Sequence, residues 1–350
     1  MPLHRRLLLQ RTLGAAALLA GCSGPANTQP APPQSATPPG LTRVRMGTPG
    51  ALSDAGLLIA QERGYFAGQG LDVAIETFNS GADQVALLSS GQLDILGGGT
   101  SLPLYEAFER GAGFKIVADK GQAPGPDWDY AALAVRKDLV DSGRVRSVAD
   151  LKGLTVTASG LNNSTSFVLF TALARSQLTP DDITFGTLGY AELPAAFANH
   201  WIDAALATEP YMTVIESQGT AVRFMGNSAL FGRNQELAVI IYSEQFATNT
   251  DLARRWMIAY VRGLRDYNDA FGPAHKGRDE IIQILVKRTP IKDAQLYDHM
   301  RPPGLDPDGK LDLDYFPLEL DYYKQSDSVD LSKLIDTSFQ EYAVQQLGPY

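Results

Sequence analysis

The chain has a single cysteine, Cys22, in 350 residues. That excludes an intramolecular disulfide, a thiolate metal site and a resolving thiol pair. Histidine is almost as scarce. His4, His200, His275 and His299 are the full set, and no two stand three or four residues apart, so no metal site is expected and no cofactor with it. The chain lacks a Gly-x-Ser-x-Gly nucleophile elbow and a phosphate loop ending in Gly-Lys-Ser/Thr. Gly97-Gly98-Gly99 does not have the spacing of a dinucleotide site and reads as a tight turn. Beyond the first twenty residues there is no apolar run long enough to span a membrane, and no internal repeat. With catalytic motifs this sparse, a binding role is the better expectation than an enzyme.

The first 21 residues read as a targeting segment. Arg5, Arg6 and Arg11 precede an apolar stretch, Leu13 to Ala20, too short for a permanent span. It ends Leu19-Ala20-Gly21-Cys22, which resembles a bacterial lipoprotein signal: small residues for a peptidase pocket, then a thiol to carry lipid. The paired arginines also allow twin-arginine export. Residues 22–41 are rich in Pro, Ala, Ser and Thr, and the stretch to Gly40 is uncharged, the composition of an extended, disordered tether that holds a domain off a membrane. About 310 residues remain, enough for two lobes with proper cores. The net charge of −9 becomes about −12 without the three leading arginines, which argues against a nucleic-acid partner.

The stretch Thr48–Ser101, with the run just before it, organises the rest. Apolar runs at Val44–Met46, Leu71–Ile75 and Leu93–Leu96 alternate with amphipathic runs at Ala55–Arg63 and Ala82–Ser89, the pattern of parallel βαβ units. Further strands are expected at Phe114–Ala118, Tyr130–Val135, Thr155–Ala158, Thr184–Leu188, Ile202–Leu206 and Leu237–Tyr242. Helices are expected at Leu102–Arg110, Ser166–Arg175 and Leu252–Phe271. The last carries Trp256, Tyr260, Leu264 and Tyr267 about four apart, a core stripe. The breaker cluster Gln122–Asp127 reads as one crossing between lobes, and Phe224–Asn234 as the return. Three or four more helices are expected around the loop Pro302–Gly309.

Glu62-Arg63-Gly64-Tyr65-Phe66, then Gly70-Leu71-Asp72-Val73, then Ser90-Gly91-Gln92-Leu93-Asp94-Ile95 resemble, in order and spacing, the solute-binding proteins of ABC importers for nitrate, sulfonates, taurine and thiamine-pyrimidine precursors. Ser147–Val156, Asp203–Tyr211 and the end from Leu334 are similar too, so the likeness spans nearly all of 42–350. The yeast thiamine-pyrimidine synthase shares that general fold, but its cysteine-rich motif is absent here. The resemblance implies an α/β, two-lobed periplasmic-binding-protein-like fold of type II with two hinge-crossing segments. Lobe 1 would be 42–125 plus 236–350, and lobe 2 would be 126–235. It further implies a monomer that closes on a small organic solute and docks on an ABC permease driven by a cytoplasmic ATPase. Rival readings are a sensor subunit that presents its solute to a signalling receptor, an extracytoplasmic enzyme on the same fold, and a binder whose lobes no longer close.

In open α/β sheets ligands bind beyond the carboxyl ends of the strands. The residues that fall there are Ser53, Asp54, Ser80, Thr100 and Ser101 in the first lobe, and Ser159, Asn162, Asn163, Ser164, Tyr190, Glu209 and Tyr211 in the second. Asp129 and Asn234 lie near the crossings. Each hydroxyl or amide could equally be a helix cap. Only Arg233 and Lys120 offer full positive charge near this cleft, against Asp54, Asp129 and Glu209. The expected solute therefore carries donors or a positive group, with Glu209 facing it and Tyr190 and Tyr211 offering ring faces. A thiamine-pyrimidine-like heterocycle is the first expectation and an aminosulfonate the second.

Overall fold

The computed structural model describes residues 40–78 and 81–350. The signal, the tether up to residue 39, Cys22 and Ser80 lie outside the described residues. The first sheet has the order β2-β1-β3-β10-β4, with β1 at Thr42–Thr48, β2 at Leu71–Thr77, β3 at Ile95–Gly98, β4 at Lys115–Gln122 and β10 at Glu236–Tyr242. The second has the order β7-β6-β8-β5-β9, with β5 at Ala131–Arg136, β6 at Thr155–Ala158, β7 at Thr184–Thr187, β8 at Ala204–Thr208 and β9 at Ala221–Gly226. Every residue of β8 and β10 is buried, as expected for strands covered on both faces.

β1 pairs in parallel with β2 and β3, and β6 with β7 and β8, as the strand–helix alternation predicts. The sheets are nevertheless mixed. β10 runs against β3 and β4, and β5 against β8 and β9. These reversed strands are the ones the chain forms on arriving from the other lobe. Such a strand enters at the carboxyl-end face of its sheet, so it can only run away from that face. Only the second half of β9, from Phe224, falls in the expected return segment Phe224–Asn234. The whole strand pairs with the last five residues of β5, and only Ala221 among its six residues is fully buried, so its sequence carries no clean alternation.

The core of the first lobe is built on the helix Thr250–Phe271. Trp256, Tyr260, Leu264 and Tyr267 are all fully buried, and Trp256 stacks on Tyr260 with centroids 5.2 Å apart. This helix lies on Ala55–Glu62 so closely that a Cβ on Gly263 would stand 2.1 Å from the Gly56 carbonyl oxygen. Glycine here is a packing requirement.

A third connection joins the lobes besides the two crossings. Helix Phe316–Tyr323 lies against the second-lobe helix Ser164–Arg175, where Phe167 meets Tyr322 at 4.7 Å between centroids. On the same helix buried Glu319 accepts hydroxyls from Thr100, from Tyr105 at 2.6 Å and from Tyr315 at 3.2 Å. Burial raises the Glu319 carboxyl to about 7, and those donors oppose the rise.

Candidate ligand-binding site

The loops that follow the parallel strands converge on a cavity between the two sheets, about 40 Å³ in volume, roughly three times the minimum that admits one water. The first lobe supplies Pro49, Ala51 and Ser53 after β1, Gln84 from the helix Gly81–Ser89, Gly98 and Gly99 at the end of β3, and Leu237 and Ala238 at the start of β10. The second supplies Tyr130 before β5, Ser159 after β6, Asn163 to Thr165 at the opening of a helix, Tyr190 after β7 and Thr208 at the end of β8.

Much of the second-lobe wall is a linked set of hydroxyls and one amide. Asn163 Oδ1 accepts from the Ser166 backbone N–H at 3.1 Å, which caps the helix. It also accepts from Thr165 Oγ1 at 2.8 Å, while Nδ2 donates to Ser159 Oγ at 3.1 Å. Ser159 is further bonded to Tyr190, whose phenol burial pushes up. Cap and cavity wall are one group here. Ser164 Oγ donates across the cleft to the Leu237 carbonyl at 3.2 Å, and its N–H donates to the Thr100 carbonyl at 3.1 Å. A Cβ on Gly99 would lie 2.1 Å from Ser164 Oγ, so only glycine lets the lobes approach this closely. Leu52 N–H to the Glu209 carbonyl at 2.7 Å and Leu102 N–H to the Asn162 carbonyl at 2.8 Å add two more bonds between the lobes.

Beneath the first-lobe wall lies Lys120, with no exposed side-chain surface. Its Nζ donates to Ser53 Oγ at 3.0 Å and pairs with Asp54 Oδ1 at 2.6 Å. Tyr130 also bonds Ser53, and burial raises its phenol well above the usual range.

Of the residues expected at the site, Ser53, Ser159, Asn163, Ser164 and Tyr190 line the cavity. The others do not. Asp54 is consumed by Lys120. Thr100 bonds Glu319. Ser101 Oγ caps the helix Leu102–Glu109 through Leu104 N–H at 3.4 Å. Asn162 sits in the left-handed region at φ 59° and offers its carbonyl to Leu102. Asp129 accepts from the N–H and hydroxyl of Ser228 at 2.8 and 2.7 Å, its carboxyl raised by burial. Asn234 Nδ2 donates to Asp312 at 2.8 Å and to Gln122 at 3.1 Å, bracing the second crossing. Tyr211 is buried outside the cavity, and its phenol is raised by burial and then by Asp54. Arg233 is exposed.

The expectation that Glu209 faces the solute is not what the geometry gives. Its fully buried carboxylate pairs with Arg223 Nη2 at 2.5 Å and accepts from the Thr213 N–H at 3.0 Å. The neighbouring Thr208 takes the cavity position instead. Successive side chains of a strand alternate faces, so the wall residue and the structural residue are one step apart. Thr208, Thr165 and Tyr130 went unmarked, although all three follow from the rule that pointed to their neighbours.

Two mixed sheets, each with a reversed strand after a crossing, and a cavity between their carboxyl ends define a two-lobed periplasmic-binding-protein fold. The alkanesulfonate-binding protein SsuA from Xanthomonas axonopodis pv. citri, solved with MOPS bound, shares it at a TM-score of 0.64 and 20% identity, over 86% of this chain and 99% of that one. The chain belongs to the NMT1/THI5 like family, whose model matches residues 53–269. A protein of Brucella abortus (strain 2308) whose name says no more than that it is a binding protein is 28% identical over 242 residues, 68% of either chain. The riboflavin-binding protein RibY of Chloroflexus aurantiacus is 24% identical over 262 residues, 71% of this chain and 70% of its own.

Proposed function

We propose that the chain is the solute-capturing subunit of an ABC importer, an extracytoplasmic lipoprotein anchored through Cys22. Its lobes would be 42–125 with 236–350, and 126–235. The observation that carries this reading is the cavity whose opposite walls, Ser53 with Gly99 and Asn163 with Thr208, come from different sheets. A pocket built that way fills and empties by parting of the lobes, which is what capture and delivery require. The closed form would dock on a permease coupled to a cytoplasmic ATPase, and the protein would act as a monomer without chemistry of its own. The solute is a small organic molecule. A thiamine-pyrimidine-like heterocycle suits the phenol rings of Tyr130 and Tyr190, and an aminosulfonate is the second choice. The names of RibY and SsuA, one binding riboflavin and the other alkanesulfonates, support an organic solute of one kind or the other.

The test is mass spectrometry of the small molecule retained by protein purified from its own cells, followed by calorimetry and small-angle scattering with that compound. At about 100 times its dissociation constant a ligand adds about 2.7 kcal/mol of stability. The radius of gyration should fall on binding. Tight binding without compaction, or turnover of the compound, would overturn the delivery reading.

A further inference from the structure

The walls of the cavity carry a feature that narrows the solute. Among the described residues that line it there is no Asp, Glu, Lys, Arg or His. Asp54, Glu209 and Asp129 each stand next in sequence to a lining residue, and all three are engaged inside the protein. Asp54 is paired with Lys120, Glu209 with Arg223, and Asp129 is bonded to Ser228. The one ammonium beneath the floor is matched by Asp54 at 2.6 Å and meets the cavity only through Ser53 Oγ. The described walls are therefore neutral. A charged solute entering it would lose its hydration and find no opposite charge to offset that loss. What the walls offer is hydroxyl and amide, groups that can donate or accept.

One of those hydroxyls stands apart. Thr208 is 4% exposed, it lines the cavity, and its Oγ1 has no hydrogen-bond partner in the protein. Ser53, Ser159, Asn163 and Ser164 are each held by neighbours. A buried hydroxyl left unmatched costs free energy unless something else completes it.

We infer that the cleft is built for an uncharged solute that places a hydrogen-bonding group against Thr208 Oγ1. This rests on the solute-capture reading and narrows it to the neutral class, setting aside the zwitterionic aminosulfonate. Thr208 is the specificity-determining residue of that class, because it supplies the bond no protein group supplies.

The experiment uses the full mature chain, Thr208→Val and Thr208→Ser, titrated by calorimetry in low and in physiological salt. The probes are neutral heterocycles (hydroxymethyl-aminopyrimidine, cytosine, nicotinamide and riboflavin), the zwitterion taurine, the cation choline, and the anions methanesulfonate and nitrate. The expected result is tightest binding by a neutral member, with less than a twofold change between salts. Thr208→Val should weaken that binding about tenfold and Thr208→Ser should largely keep it. Because the hydroxyl has no partner in the protein, Thr208→Val without solute should melt no lower than the parent. Tightest binding by a charged member overturns the inference and leaves solute capture standing. A valine variant that melts lower but binds as well also overturns it, since the hydroxyl would then be structural. Failure of every probe, together with no small molecule retained on purification, sinks both readings.

Discussion

Replacing Glu236 with glutamine tests how two buried acids are held beside the crossings. Asp119 on β4 and Glu236 on β10 are both essentially unexposed. Asp119 accepts the N–H of Gly121 at 2.7 Å and of Asp306 at 2.7 Å, and Glu236 accepts the N–H of Asp312 at 2.7 Å. Glu236 Oε1 is buried with no hydrogen-bond partner in the protein, and the charge of Asp119 acts on it. Two carboxylates are acceptors only, so a neighbouring buried pair is eased when it keeps one proton between them. Desolvation is the first cause of the shift in both, raising Asp119 to about 7 and Glu236 well above its ordinary range, the latter reinforced by the Asp119 charge.

The sign follows from linkage. An acid whose folded-state pKa is raised keeps a proton that the unfolded chain has released. Its contribution is fully present below the unfolded value near 4 and is lost as pH rises to about 7. Glutamine can donate to Asp119 through Nε2 and still accept from Asp312, with no proton needed. Glu236→Gln should therefore lie above the parent at pH 8 by about 1–2 kcal/mol in urea denaturation and show a shallower fall between pH 5 and 8. Parallel pH profiles for parent and variant would refute a shared proton.

Gly263→Ala drives a methyl into the Gly56 carbonyl and should cost about 1–3 kcal/mol in denaturant midpoint, as overpacking does; an unchanged midpoint would mean that the two helices slide apart freely. Lys120→Met leaves Asp54 buried without its partner and should cost about 3–5 kcal/mol, with Asp54→Asn in the same chain recovering part of it. If the double variant is no better than the single, the pair is not the source of the loss. Glu209→Gln breaks the bond to Arg223 and should lower stability while changing solute affinity less than Thr208→Val; calorimetry beside a urea melt separates the two. Cys22→Ala should leave the protein soluble or unprocessed, read by membrane fractionation, and a processed, membrane-bound pool would refute lipid anchoring.

How much of this could be read from the sequence depends on the range of the signal. The strands β1, β2 and β3 were legible because apolar run, turn and amphipathic run lie within thirty residues of one another. Strand direction was not. The buried runs Ala131–Val135 and Leu237–Tyr242 read alike in either sense, and only the passage between lobes decides that they run backwards. The cavity positions were legible wherever a small polar residue follows a strand, as at Ser53, Ser159 and Asn163. The errors were electrostatic. Asp54 and Glu209 looked like free acids because their partners are distant in sequence, Lys120 on β4 and Arg223 on β9, strands that belong to other parts of each sheet. An acid in a cleft was taken to require a cation or a donor group in the solute. Once its partner is known to be an arginine of the same chain, the requirement disappears, and the side chain with an unmet bond is the threonine one residue earlier. The charge of a binding site is thus set by tertiary pairing, and the solute expected from unpaired acids is not the solute expected from paired ones.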